Sequence, residues 1–412
     1  MEGTLFFTAD DGVSGRELWK SDGTVAGTVM VKDIAPGSSG SSPRELTNVG
    51  GTLYSRASDG ADGRELWKSD GTVAGTVMVK DIAPGSSGSS PRELTNVGGT
   101  LYFTASDSAH GRELWRSDGT AAGTLLVKDI NLGPDGSYPD YLANIQHTLY
   151  FSTNYPGGLW KSGGTETGTE LVAELIARGT TGFGGVALFS ANDGMHGVEL
   201  WESDGTSAGT ALLKDIEPGL GSSGPGGFTE IGGFALFAAY PDSPGHEVWK
   251  TDATSEGTAL VKDIRPGSFS AIGQFRPRVL GGILFFAADD GSDGRELWRS
   301  DGTAAGTVLV KDINPGPHRS SPNRLARSAG TLFFVANDGL VGRELWSSDG
   351  TDGGTVLVKD IRPGEERGQP KFLTNVAGTL FFSADDGMAG RELWKSDGTA
   401  QGTVLVKDIS TD

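Results

Sequence analysis

Nine tryptophans mark out this chain, and all of them sit in one short motif that recurs at an almost fixed interval: Trp19, Trp67, Trp115, Trp160, Trp201, Trp249, Trp298, Trp346 and Trp394. Successive spacings are 48, 48, 45, 41, 48, 49, 48 and 48 residues, and the text around each reads Glu-Leu-Trp-x-Ser-Asp-Gly-Thr with few departures. A period in the forties means that each unit is one supersecondary module, too small to bury its apolar face alone and obliged to share a core with its neighbours. The 412 residues are therefore expected to form one repeat domain, residues 1–412, and not the two or three ordinary domains that length alone would allow.

The repeat from Leu46 to Ile82 contains four short runs rich in Val, Leu, Thr and aromatic residues, each closed by turn chemistry. They are Glu45–Val49, Thr52–Tyr54, Arg64–Lys68 and Thr76–Ile82. None keeps a helical apolar period, so all four read as strands. Gly50-Gly51 suits a two-residue hairpin, and the Asp59–Gly63 and Asp70–Gly75 segments suit slightly longer ones. The fourth connection, from Ile82 to Glu93, is long and carries Pro and Gly. An antiparallel blade must return its chain from the outer strand to the next inner strand, about 14 Å away across three strand spacings. Three tight turns and one long return define a β-propeller. A β-solenoid is the alternative, but its coils repeat at shorter periods.

Second, third and outer strands occur nine times, but the inner strand only eight: the first unit opens directly at Thr4-Leu5-Phe6-Phe7. The expectation is an all-β propeller of nine four-stranded antiparallel blades, the first lacking its inner strand. An eight-bladed ring with spare strands is the runner-up. Distortion is expected near blades four and five. There the second loop before Trp160 is three residues short, and Leu175 to Leu188 spans 13 positions where other repeats use 19 or 20. Gly158-Leu159-Trp160 also replaces Glu-Leu-Trp. Residues 15–54 and 63–102 are identical, a recent duplication, yet Ser55-Arg56 stands where Phe103-Thr104 and Phe7-Thr8 stand elsewhere. Loss of a buried Phe costs about 3–5 kcal/mol, so Ser55→Phe is expected to stabilise.

Each tryptophan is expected to pack between blades, as a large flat apolar spacer. Ser-Asp-Gly-Thr reads as turn chemistry, with Asp22 accepting N–H groups and Gly23 taking positive φ. Lys32 and Asp33, with Arg16 and Glu17, read as exposed charge ladders between blades. Paired carboxylates such as Asp10-Asp11 and Asp385-Asp386 raise the question of calcium, but they lack the alternating spacing that wraps oxygens around one ion. The five histidines, His110, His147, His196, His246 and His318, fall at unrelated repeats, mostly in loops, and no nucleophile elbow, phosphate loop or dinucleotide fingerprint is present. No catalytic residue, binding residue or metal ligand is therefore assigned, and no cofactor is expected, structural calcium being the one candidate.

With 53 acidic and 34 basic residues the net charge is −19. That disfavours nucleic acid and anionic membrane surfaces, which need clustered cations. There is no cysteine, which excludes disulfides and thiolate chemistry. No apolar run is long enough to span a membrane as a helix, and Met1-Glu2-Gly3-Thr4 does not read as a signal peptide.

The sequence Glu-Leu-Trp-x-x-Asp-Gly-Thr followed by Gly-Thr-x-Leu-Val-Lys-Asp-Ile-x-Pro-Gly closely resembles the bacterial ELWxxDGT repeat proteins, some of them labelled hyalin-like. The resemblance runs over residues 4–409. It implies a propeller-type repeat in an extracellular or cell-surface setting, and it carries no activity and no functional residues. The functional expectation is a monomeric, non-enzymatic scaffold that binds a glycan or a protein through the face carrying the long returns and the loops after the second strands. Arg16, Arg64, Arg112, Arg295, Arg343 and Arg391 lie beside that face. Alternatives are a calcium-stabilised surface protein and a glycan-active enzyme using the channel. For the enzyme, the divergent stretch 131–186, with Asp135, Tyr138, Asp140, Tyr141 and Tyr155, is the candidate.

Overall fold

A computed structural model describes residues 3–364 and 367–410. Its strands form nine antiparallel sheets, eight of four strands and one of three, each ordered as the chain runs. In blade 2 the inner, second, third and outer strands are Arg44–Val49, Thr52–Ser58, Arg64–Ser69 and Val77–Lys80. Among the described residues blade 1 has only Leu5–Asp10, Arg16–Ser21 and Val29–Lys32, so its second strand pairs with one of them on one side alone. Inner strands of successive blades lie side by side around the axis. The nine-bladed reading holds, and so does the missing inner strand.

The hairpin chemistry explains the register. Val49 pairs with Thr52 across Gly50 (φ 57°) and Gly51 (φ 86°), the positive-φ pair a two-residue primed turn requires. Seven of the eight inner strands described then bulge near their start, the short one of blade 7 being the exception. In blade 2 the register shifts between Arg44 and Thr47, with Glu45 at φ 60°. A second bulge falls between Leu66 and Trp67, against the outer strand. Bulges increase local twist, and twisted sheets pack as wedges around an axis.

The motif loop is a closed hydrogen-bond circuit. Asp22 Oδ1 accepts from the Thr24 amide and hydroxyl, both within 2.8 Å, and Thr24 Oγ1 accepts from Gly27 N at 2.9 Å. Ser21 and Thr28 hydroxyls meet at 2.7 Å beneath it. Gly27 lies so close that a Cβ there would sit 2.0 Å from the Asp22 carboxylate. The same circuit recurs in blade 2 and blade 9.

Tryptophans join the blades. Trp115 of blade 3 is buried against Tyr54, Leu66, Val79 and Ile82 of blade 2. Lys80 of blade 2 lies 5.9 Å from the Trp115 ring centre and donates to Thr124 O at 2.8 Å, a cation–π contact combined with a charge-assisted hydrogen bond. The last interface repeats this and closes the ring. Trp19 packs with Phe381, Leu393, Val406 and Ile409, Lys407 lies 5.8 Å from the Trp19 ring centre, and Lys395 donates to Gly23 O at 2.8 Å.

The charge ladders expected from Arg16, Glu17, Lys32 and Asp33 do not form. Lys32 reaches the next blade's Thr76 carbonyl at 2.8 Å, and Glu17 is fully buried. Strand alternation places Glu17 on the opposite face from Leu18, but that face is roofed by the return linker, which the charge of the side chain had concealed.

Blades 4 and 5 keep four strands each, and their irregularity lies in the connections. The short turn of blade 4 carries a cis Tyr155–Pro156 bond. At Gly158, where other blades have glutamate, Leu171 Cδ1 lies 2.4 Å from where a Cβ would stand. Trp160 donates to Thr153 Oγ1 at 2.9 Å, whereas Trp19, Trp67, Trp115, Trp201, Trp249 and Trp346 have buried indole nitrogens without a partner.

Ser55 is buried, pairs with Trp67, and occupies the site of the fully buried Phe103, Phe151 and Phe189. Blade interfaces such as that between blades 2 and 3 have one continuous core. Between blades 1 and 2 it is split into two small clusters, around Leu18 and around Trp67. Ser55→Phe should fuse them and raise the melting temperature, by a share of the roughly 3–5 kcal/mol that a buried Phe contributes. Unchanged or lower melting would show that the pocket has collapsed.

Candidate functional site

The face built from return linkers and second-to-third-strand loops is held by the motif glutamates. Glu17 Oε1 accepts from Ser41 N at 2.6 Å and Ala35 N at 3.3 Å, Oε2 from Ile34 N at 3.2 Å and from the Ser41 hydroxyl. Ser41 O in turn accepts from Ser58 N of blade 2 at 3.1 Å. One buried carboxylate thus pins the linker over its own blade, and the linker hydrogen-bonds the next. Glu65–Ser89, Glu113–Ser137, Glu199–Ser223 and Glu296–Ser320 repeat the arrangement.

On this fixed frame stand the arginines. Arg112 donates to Thr104 O and Ser90 O, Arg343 to Ser321 O, and Arg391 to Gln369 O and Ser383 O, at 2.9–3.4 Å. Carbonyls orient these guanidinium groups without neutralising them. Their positive charges also crowd one another. Arg343 is pushed below its ordinary pKa by burial and by Arg367 and Arg324, and Lys371 by Arg391, then burial and Arg324. On the far side of blade 1, burial lowers Arg56, with Arg64, Arg92 and Arg44 adding to it against Glu45.

The densest part is a cleft of about 610 Å³ at the inner ends of blades 7 and 8. It is lined by Arg276, Arg278, Arg324, Arg343 and Arg367 with Gln274, Asn323, Leu325 and Gln369. No described carboxylate lines it, and none is ion-paired with any of these five arginines. In a chain of net charge −19 this is a local reversal of field. Such an arrangement can hold carboxylate, sulfate or phosphate oxygens through the planar donor forks of arginine.

Aromatic side chains stand exposed on the same face. Tyr138 in a return linker and Tyr155 in a second loop meet edge to face, ring centres 6.4 Å apart, and Tyr141 is the second residue of the neighbouring inner strand. Tyr240, Phe269 and Phe372 are also exposed, the first two in loops and the last at a positive-φ bulge. Of the residues singled out in the divergent stretch 131–186, the structure brings Tyr138 and Tyr155 together. Asp140 begins the blade 4 inner strand.

The arginines expected beside this face divide. Arg343 and Arg391 belong to the basic run, and so do Arg64 and Arg112 through Arg56 and Arg92. Sequence reasoning missed Arg276, Arg278, Arg324 and Arg367. They lie in the linkers and at the strand bulges, where the repeat varies, and their clustering depends on which linkers become neighbours. The histidines do not converge: His110 and His196 pair with Asp107 and Asp193 in their own loops, and His246 packs under Tyr240. Asp10 and Asp11 turn their carboxylates onto Gly12, Val13 and Ser14 of their own loop. Among the described residues no three His, Asp or Glu side chains form a metal-ion set.

The molecule is a β-propeller, and comparison with solved structures returns several similar proteins. They include a puromycin hydrolase (16% identity, TM-score 0.43, 78% of this chain and 54% of that one) and a prolyl endopeptidase (10%, 0.46, 77% and 49%). A puromycin-hydrolyzing peptidase of Mycobacterium tuberculosis is also similar (11%, 0.44, 83% and 57%). The chain spans about half the length of each. No family model and no curated protein matches it.

The latches make stability depend on pH. Burial outweighs the loop donors and lifts Glu247, Glu296 and Glu344 to about 7. A carboxyl raised in the fold stabilises it at low pH, and that contribution is lost as pH rises through the folded value. The turn aspartates Asp22, Asp70 and Asp118 are lowered by their threonine partners. Their contribution is present above the ordinary carboxylate range and is lost as pH falls. Melting temperature should therefore fall between about pH 5 and pH 8. Glu344→Gln should flatten that limb, and a level profile in the parent would contradict the assignment.

Proposed function

We propose that this protein is a non-enzymatic binding scaffold whose channel mouth takes an acidic glycan. The observation that carries the reading is the cleft of five arginines lined by no carboxylate among the described residues, on a face that also presents exposed tyrosines and phenylalanines. Guanidinium groups hold uronate carboxylates or sulfates in two-point contacts, and aromatic rings stack on the apolar C–H faces of sugar rings. The aromatics are spread over blades 4, 6, 7 and 9, so a chain of several sugars reaches more of them than a single anion does. The backbone beneath is pinned by the glutamate latches, which lowers the ordering cost of binding.

A binder is favoured over a channel enzyme because the buried motif carboxylates are committed to holding loops: Glu17 and Glu65 each accept a backbone amide and a hydroxyl from one serine. Membership of the ELWxxDGT repeat proteins and a cell-surface setting belong to the same reading, since acidic polysaccharides are ligands met outside the cell.

The test is calorimetry with uronate and sulfated oligosaccharides against neutral ones of equal length, at low and moderate salt. Acidic glycans should bind and weaken with salt. Arg276→Ala and Arg324→Ala, both at exposed positions, should each cost about tenfold in affinity, as loss of a charge-assisted hydrogen bond does. Equal binding of neutral glycans, or none at all, would overturn the reading. Selective capture of an acidic peptide would turn it toward a protein ligand.

A further inference from the structure

Arg56 breaks the repeat without serving it. Residues 15–54 and 63–102 are identical, and two positions past the copied segment Arg56 stands where blade 3 has Thr104. The position pairs with the residue before each tryptophan, and the other eight blades fill it with Thr, Ser, Ala or Val. Arg56 is half-buried there, and its partner on the inner strand is Arg44. Like charges directly opposite destabilise a sheet. Burial also works against the charge of Arg56, as do Arg64, Arg92 and Arg44, with Glu45 opposing them. The fold gains nothing from this side chain, whereas a bound anion would offset both penalties.

The guanidinium groups around it converge on one stretch of linker. Arg56 donates to Pro91 O at 3.5 Å, and both terminal nitrogens of Arg112 donate to Ser90 O at 3.2 Å. Arg92 follows directly in the chain and is exposed, as is Arg44. Among the described residues no carboxylate is ion-paired with any of these four. Arg112 is oriented further by Thr104 O and Oγ1, whereas Arg56 makes one hydrogen bond among the described residues and leaves most of its donors unspent. From here the arc toward the cleft of blades 7 and 8 carries exposed aromatics. Tyr138 N donates to Arg112 O at 3.1 Å, and its ring meets Tyr155. Tyr240 follows in blade 6, and Phe269 in the linker that leads to Arg276.

We propose, resting on the acidic-glycan reading above, that Arg44, Arg56, Arg92 and Arg112 form a second anion subsite, and that one glycan chain runs along the rim from it to the arginine cleft of blades 7 and 8. Arginine forks take a carboxylate or sulfate at each end, and the rings of Tyr138, Tyr155, Tyr240 and Phe269 take sugar faces between. Once one end is held, the other binds as an intramolecular event at raised effective concentration. A fragment too short to reach both ends gains none of this and occupies each subsite separately. Preference for long acidic chains over short ones is the property that Arg56 adds to blade 2.

The test is calorimetry of the whole chain with polygalacturonate and heparin oligosaccharides, each graded by length. Short fragments of a series that binds should load two per protein molecule. Above a threshold length a single chain should load, about tenfold or more tighter. Arg56→Thr restores the residue of Thr8 and Thr104 and removes the opposition to Arg44, so the melting temperature should hold or rise. It should delete one short-fragment site and abolish the gain with length, leaving binding at the cleft. Arg324→Ala should weaken the other short-fragment site and spare the one at Arg56. A single short-fragment site in the parent, affinity that does not rise with length, or a rise that survives Arg56→Thr would overturn the second subsite while leaving the cleft in place. Binding of neither series at any length would overturn both.

Discussion

No blade in this ring buries its own face, and the contact that does so is the tryptophan laid against the blade before it. Trp115 packs on the apolar face of blade 2, and Lys80 of that blade covers it while bonding the loop beyond. An aromatic residue buries more apolar area than any aliphatic one, so a single residue per repeat supplies much of each interface. The lysine adds direction: its stem covers the ring, and its ammonium reaches a carbonyl only if the blades hold one spacing. Repetition of this pair at Lys407 and Trp19 lets the last blade meet the first without a continuous chain between them.

The glutamate beside each tryptophan fixes the loops of one face. A return linker of about ten residues has many free amides, and covering them with a carboxylate satisfies several at once. Blade 4 shows the dependence by its exception. Its return is cut to the few residues between Ala173 and Arg178, so there is little linker to hold. There Gly158 replaces glutamate and Leu171 takes the space. Linker length and glutamate are lost in the same repeat because neither has a use without the other: an unpaired buried carboxylate would be a large penalty.

The period of the repeat, the strand count, the absent inner strand and the packing role of tryptophan were legible in the sequence because all of them follow from spacing and turn chemistry. Gly50-Gly51 could mean little else between two β-like runs. The role of Glu17 was not legible. A charged residue in a strand reads as solvent-facing, and its burial appears only when a linker 24 residues on folds back over it. Lys32 was likewise read as half of a surface ladder, although its acceptor is a carbonyl 44 residues away. The basic cleft was hidden for a third reason. Four of its five arginines, Arg276, Arg278, Arg324 and Arg367, come from linkers and strand starts that share no motif, and net charge, being a sum over the chain, has the opposite sign.

That last point bears on how a near-symmetric ring acquires a particular surface. Identical repeats give identical loops, and a field built from them is uniform around the axis. Asymmetry enters where the repeat tolerates change without cost to the interfaces, at the exposed side chains of the linkers and of the inner-strand bulges. The position of Glu45 is held by Glu93, Tyr141, Gly179, Arg324 and Phe372 in other blades, every one of them at positive φ. The backbone there is constant while charge, size and aromaticity vary freely. Glu45 tempers Arg56 of blade 2, whereas Arg324 adds to the positive charge around Arg343 of blade 8. Where Arg324 replaces that glutamate, the cleft is lined by arginines and, among the described residues, by no carboxylate. Binding specificity in this molecule is thus carried by the residues the fold constrains least, and their placement is secured by the tryptophans and glutamates it constrains most.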